Sequence, residues 1–208
     1  MFQEEEEELK SVVYDRRPFI LRPERNGFEN WLDVLTDLGK RRGNPDWVNS
    51  FVPSMKAKGK MLGIDLDFGG KVGNSLDSLR ILKFVAKTRG SEYSERLADL
   101  LAKMHFEQRR CVCDHKNLLE AAVEIGCSSE KVKSVLRVET IYRNEGLSDI
   151  NLLHRSGIHS IPFFQLVMSN SDDDGNSDVT RHHHGASSVN DFFKSLRDMR
   201  SELRRSSS

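Results

Sequence analysis

The residues able to do chemistry gather in a few short stretches of the 208-residue chain. Cys111-Val112-Cys113 places two thiols one residue apart, directly before Asp114-His115 and a helical pattern. The positive end of a helix lowers the pKa of a nearby thiol, which makes Cys113 a candidate reactive thiol. A one-residue spacer holds two sulfurs awkwardly for a ring, so packing cysteines are the simpler reading. His182, His183 and His184 resemble a metal cluster, but successive side chains of a strand alternate faces. Only His182 and His184 then converge, and two ligands do not make a structural zinc site, so no metal is expected. The glycines of Gly63 to Gly73, GIDLDFGGKVG, lack the Gly-Lys-Ser/Thr ending of a phosphate loop and read as a connection. Asp77 and Arg80 sit three apart on a helical pattern, the spacing of a surface ion pair or of two site residues on one face. Pro162 precedes the apolar run Phe163 to Met168. Proline donates nothing to a sheet ladder, so it belongs at the first residue of a strand, and Ile161–Pro162 is among the few bonds able to be cis.

The elements that must position these residues follow from periodicity and caps. Ser11 to Tyr14 reads as a short strand after an acidic block, Glu4 to Glu8. Phe28, Trp31, Leu32, Leu35 and Leu38 recur at three and four, giving a helix. Asn44-Pro45 predicts the start of a second helix through Trp47, Phe51 and Met55, kinked at Pro53. Asn74 caps a helix carrying Leu76, Leu79, Ile81, Leu82, Phe84 and Val85, closed by Arg89-Gly90. Ser91 opens the next, with Leu97, Leu100, Leu101, Met104 and Phe106 on one face. Asp114 caps a further one, with Leu118, Leu119, Ala122, Val123 and Ile125 inward and Gly126 as terminator. Ser128 or Ser129 caps a short helix through Val132, Val135 and Leu136, and another runs from Val138 to Arg155. After the strand behind Pro162 come an acidic, turn-rich loop, a strand from Val179 to His184 and a last helix from Val189 to Leu203. Ser188 and Asp191 stand in capping-box spacing at its start.

Composition bounds the function. Lys+Arg 32 balances Asp+Glu 32, so no global field draws in nucleic acid or an anionic membrane. A mean hydropathy of -0.55 and the absence of any long apolar run argue against a membrane span. The opening MFQEEEEELK is the reverse of a basic, apolar targeting signal, and three cysteines are too few for a secreted disulfide framework. A cytoplasmic protein is expected.

Gly157-Ile158-His159-Ser160-Ile161-Pro162-Phe163-Phe164 resembles the Gly-Val-x-Gly-Val-Pro-x-Phe segment of the DsbA-like thioredoxin family, in its FrnE-like branch, where the proline is cis and lies beside the active site. Arg17-Pro18-Phe19-Ile20-Leu21-Arg22-Pro23 is similar to the end of that family's second strand. Asn74, Asp77 and Arg80 match its Asn-Thr-Phe-Asp-Ala-His-Arg-Leu helix, with Leu79 in place of the histidine. Phe106-Glu107, Asp114 to Leu118 and Gly126 fit its inserted region. The resemblance covers roughly residues 8 to 200. It implies an α/β (α+β) thioredoxin-like fold with a large inserted helical domain, N-terminally incomplete: residues 11–25 and 157–203 form the thioredoxin-like part, 26–156 the insertion, and 1–10 and 204–208 tails. It also implies a substrate-binding loop at Ser160, Ile161 and Pro162 and a site helix carrying Asn74, Asp77 and Arg80.

Redox catalysis in such folds uses a Cys-x-x-Cys at the start of the first helix, and this sequence contains none, so no catalytic residue is assigned. The first strand and the catalytic turn are expected to be absent, which would leave the edge of the Phe163 to Met168 strand open. The implied function is that of a DsbA/FrnE-like member of the thiol–disulfide oxidoreductases lacking its own redox dithiol, acting on a thiol or disulfide protein. The alternative is a non-catalytic or glutathione-binding module related to kappa-class glutathione transferase and 2-hydroxychromene-2-carboxylate isomerase. No cofactor is expected beyond glutathione. Residues 1–208 are predicted to show negligible dithiol oxidase or insulin reductase activity. Turnover of insulin that a Cys113→Ser variant abolishes would move the chemistry to the Cys111-Val-Cys113 stretch.

Overall fold

The computed structural model describes residues 27–169 and 178–206. The expectations for the acidic block, the Ser11 to Tyr14 strand, Arg17 to Pro23, the last two residues and most of the acidic loop lie outside the described residues. In order, the described elements are β1 (Glu29–Asn30), α1 (Trp31–Arg41), α2 (Trp47–Met61), β2 (Lys71–Val72), α3 (Leu76–Arg89), α4 (Ser91–Glu107), α5 (His115–Glu124), α6 (Ser129–Arg137), α7 (Arg143–Arg155), β3 (Phe163–Met168), β4 (Val179–His184) and α8 (Val189–Ser206). The chain falls into two compact units that divide after Ile150. Among the described residues no helix is long and apolar enough to cross a membrane.

The first unit is helical. Its core joins Ile81, Phe84 and Val85 of α3, Leu97, Leu101 and Met104 of α4, Leu118, Ala121 and Ala122 of α5, and Val132, Val135 and Leu136 of α6. Each set recurs at three and four residues, which puts it on one helix face, and burying these side chains is the main favourable term in forming the unit. Two expected core residues lie elsewhere. Val123 is exposed because it sits five residues after Leu118, well round the helix from the 118–121–122–125 stripe. Phe106 is also exposed and packs instead against Trp31, ring centres 5.5 Å apart.

A second cluster in this unit is aromatic. Phe68, buried in the 63–73 connection, lies 4.7 Å from Trp31 and 6.2 Å from Phe51. The glycine spacing there is structural, since a Cβ on Gly70 would stand 2.9 Å from the Arg109 backbone. Arg109 Nε in turn donates to Asp67 Oδ2 at 2.8 Å. β1 and β2 pair antiparallel through Glu29↔Val72 and Asn30↔Lys71.

Several boundaries differ from those expected. α2 begins at Trp47, not at Asn44-Pro45, because Trp47 N–H is taken by the Asn44 carbonyl in a separate turn. The formal N-cap of α3 is Ser75, yet Asn74 Oδ1 still accepts from Leu76 N–H at 2.9 Å. The helix expected from Val138 starts only at Arg143, after a turn in which Tyr142 takes a φ of 58°. Asp114 caps α5, accepting from Lys116 N–H.

The second unit is a hairpin under a helix. β3 and β4 pair antiparallel from Phe163↔His184 to Met168↔Val179, and among the described residues β3 hydrogen-bonds with β4 alone. Val179, Met199 and Leu203 are its buried residues, with Leu166 and Met168 against them. Ser188 and Asp191 form the reciprocal cap of α8: Ser188 N–H donates to Asp191 Oδ2, and Asp191 N–H to Ser188 Oγ. The histidines alternate faces. His182 and His184 flank Phe163, while His183 stacks on Phe192 and bonds the hydroxyls of Ser187 and Ser195.

Leu118→Ala is expected to destabilise the helical unit by about 2–5 kcal/mol, whereas Val123→Ala should change it by less than about 0.5 kcal/mol. Denaturant unfolding of the two variants checks the ranking.

Candidate functional site

The start of α3, the start of α5, the end of α6 and the turn leading to α7 enclose a cleft of about 880 Å³ in the helical unit. Asn74, Asp77 and Arg80, the implied site-helix residues, all line it, joined by His115, Lys116, Lys133, Arg137, Glu139 and Arg143. Each of these is delivered by local structure already described. Asn74 closes the first turn of α3, Asp77 and Arg80 follow on one face, and Asp114 starts α5 so that His115 and Lys116 project from its first turn.

Arg80 is 2 % exposed, and every nitrogen of its guanidinium is used. Nε donates to Ile141 O at 2.8 Å, Nη1 to Asp77 Oδ1 at 2.6 Å, and Nη2 to both Val135 O and Val138 O at 2.5 Å. The carbonyls belong to the end of α6 and the turn after it. Helix ends leave such acceptors unmatched, and a buried cation is tolerated only when fully paired. Arg80 therefore positions the cleft walls, with four of its five N–H donors committed to protein acceptors.

Asp77 links this anchor to the open part of the cleft. Its Oδ2 accepts from His115 Nε2 at 2.6 Å. Burial pushes the Asp77 carboxyl up, but the hydrogen bonds from His115 and Arg80 and their charges outweigh it and hold the pKa below the usual carboxylate value. A carboxylate only accepts, so His115 carries its proton on Nε2 in this arrangement. Lys133 pairs with Glu130 at 2.9 Å and Arg143 with Glu139 at 3.3 Å, both at the exposed rim.

Cys111 and Cys113 are joined by a disulfide, with Cα atoms 5.2 Å apart, inside the range such bridges span. This corrects the expectation of packing cysteines and of a free Cys113 thiol. The reason is the turn over residues 111–114, closed by Asp114 N–H on the Cys111 carbonyl, which folds the two residues together despite the short spacer. Cys111 is buried and Cys113 half-buried. Cys113 Sγ packs on Gly73, where a Cβ would stand 2.5 Å away. Cys127 is the free cysteine and belongs to the core.

In the second unit, Ser160, Ile161 and Pro162 are all exposed, and the Ile161–Pro162 bond is cis. Pro162 lies just before the first residue pair of the hairpin, and its carbonyl accepts from Gly185 N–H at 2.8 Å. Proline accepts this bond at the end of the ladder and has no N–H to return to Gly185. The sequence singled out Asp77 and Arg80 but missed His115 as their partner. Asp77 and His115 lie 38 positions apart, so no local spacing signals the pair.

No family model and no curated protein matches the sequence. Among solved structures, a probable DsbA oxidoreductase from Streptomyces coelicolor is similar, with a TM-score of 0.75 and 24 % identity over 93 % of this chain and 77 % of that one. The fold is thus a DsbA-like thioredoxin fold with a helical insertion.

Arg80→Met is expected to cost about 3–5 kcal/mol, since it strands Asp77 and three carbonyls at once. Asp77→Asn tests the electrostatic part. A carboxyl with a lowered folded-state pKa contributes stability that is present above its unfolded pKa and lost as pH falls through the folded one. The stability difference between the native chain and Asp77→Asn should therefore shrink between about pH 5 and about pH 2.

Proposed function

We propose that this chain is a DsbA-like module of the thiol–disulfide oxidoreductases, in the FrnE-like branch, whose Ser160-Ile161-Pro162 loop holds an extended segment of a cysteine-containing polypeptide. The observation that carries this reading is the exposed loop feeding β3, within a fold shared with a probable DsbA oxidoreductase. An extended segment laid along the loop finds apolar surface on Ile161, which is 46 % exposed. It also finds polar main-chain groups at the entry to β3, the ingredients of strand-like peptide recognition. In this reading the loop binds and presents the polypeptide, and residues 1–208 hold no Cys-x-x-Cys of their own. Three cysteines, too few for a secreted disulfide framework, fit a cytoplasmic setting, where the one bridge they form would be reducible rather than structural.

Reduced, unfolded ribonuclease A carrying a fluorophore serves as the probe. Pro162→Ala is expected to weaken its binding by about tenfold, equal to roughly 1.4 kcal/mol, without shifting the melting of the helical unit. Equal affinity for the native chain and the variant would reject the loop as the binding surface.

A further inference from the structure

We propose that Cys111–Cys113 is a redox-active disulfide that exchanges with a small anionic thiol of the glutathione class, held by the cationic cleft of the helical unit. This goes beyond the polypeptide-binding role of the Pro162 loop and uses none of its residues. Exchange demands one reachable sulfur and one sulfur able to leave as a thiolate. The pair is divided in that way. Cys113 is half-buried and the more accessible of the two, while Cys111 is buried and its Sγ already accepts a hydrogen bond from Cys113 N–H at 3.4 Å. A negative sulfur at Cys111 strengthens that bond, because hydrogen bonds to charged acceptors exceed those to neutral ones. The bridge also stands immediately before the N-cap of α5, whose exposed N–H groups favour negative charge.

The cleft supplies the reason for an anionic thiol. Setting aside the satisfied Arg80–Asp77 pair, Lys116, Lys133, Arg137 and Arg143 line it against the carboxylate of Glu139. Lys116 and Arg137 form no ion pair among the described residues, which leaves them for ligand carboxylates. Cys113 borders residues of the cleft without lining it. Its Sγ and the cleft-lining Gly27 both abut Gly73, and the cleft-lining His115 and Lys116 follow it by two and three residues. A thiol carrying carboxylates near its sulfur would rest those groups on Lys116 and Arg137 while its sulfur meets Cys113.

The reaction balances with the thiol as reductant. One thiol loses its proton, and its thiolate attacks Cys113 Sγ, forming a mixed disulfide as the S–S bond breaks and Cys111 leaves as a thiolate. A second thiolate attacks the ligand sulfur of the mixed disulfide, releasing Cys113 as a thiolate and the ligand as its disulfide. The two protein thiolates take up the two protons. The protein disulfide is reduced by two electrons and two thiols are oxidised, and the reverse direction oxidises the protein pair with the ligand disulfide.

The test uses the full chain, with reduced glutathione as the probe and β-mercaptoethanol and cysteamine as neutral and cationic comparators. Samples are quenched with iodoacetamide and read by intact mass. The expected result is capture of Cys111 and Cys113 as alkylated thiols in glutathione. Cys111→Ser should keep a single glutathione as a mixed disulfide on Cys113 when exposed to oxidised glutathione. Lys116→Glu/Arg137→Glu should slow the reaction with glutathione about fivefold or more while leaving that with β-mercaptoethanol unchanged. Val123→Ala, on the exposed face of α5, should leave all three reactions unchanged, which separates the effect of charge reversal from that of any substitution in this unit. A pair that stays bridged at every glutathione ratio would overturn the proposal. So would a cysteamine reaction faster than that of glutathione, or equal slowing of all thiols by the double charge reversal. Because the native chain alone decides the first outcome, misfolding of a variant does not shelter the proposal.

Discussion

The helical unit depends on one buried guanidinium. Arg80 enters the interior from α3, where a desolvated cation would be prohibitive, and recovers that cost through four acceptors drawn from Asp77, the end of α6 and the turn beyond it. Those bonds decide where α6 stops and where α7 is launched. They also fix Asp77, which orients His115 at the first turn of α5. Remove the guanidinium and two walls of the cleft lose their common anchor. The cleft is therefore a by-product of how the unit satisfies its helix ends, and its cationic character comes from side chains that this frame leaves at the rim.

That frame separates two roles that sequence spacing confuses. Asp77 and Arg80 stand at the i,i+3 spacing of a surface ion pair, and also where the family resemblance implies a site. Their burial rules out the bland surface pair, since Arg80 is 2 % exposed. Its hydrogen bonding, four of five donors committed to protein acceptors, makes it a brace of the cleft first of all. Both residues are positioning residues, and the groups able to meet a ligand are the ones they hold in place: His115, Lys116 and the arginines of the opposite wall.

Periodicity carried most of the fold because each helix buries a face that repeats at three and four residues; α3, α4, α5 and α6 are readable from that alone. Asp114, Ser188 and Asp191 were legible because caps act over three residues. The errors lie where distant groups outvote local ones. Val138 to Tyr142 looked helical, yet the Arg80 guanidinium, some sixty positions earlier, collects the carbonyls at 138 and 141 and holds the turn. Asn44-Pro45 has the form of a helix start, but Gly39 lets the Asn44 carbonyl approach so closely that a Cβ would stand 2.8 Å from it, and the chain turns before α2 begins. The Cys111–Cys113 bridge was illegible for a related reason: its feasibility rests on the turn that closes residues 111–114, not on the spacer length.

The most direct test of the account is whether a ligand without a free thiol still finds the cleft. S-methylglutathione keeps the carboxylates of glutathione and cannot exchange, so a two-dimensional amide NMR titration isolates binding from redox chemistry. The account predicts dose-dependent shifts at Asn74, His115, Lys116 and Arg137, with Ser160 and Ile161 undisturbed. Shifts confined to residues 158–164, or none at the cleft at millimolar ligand, would contradict it.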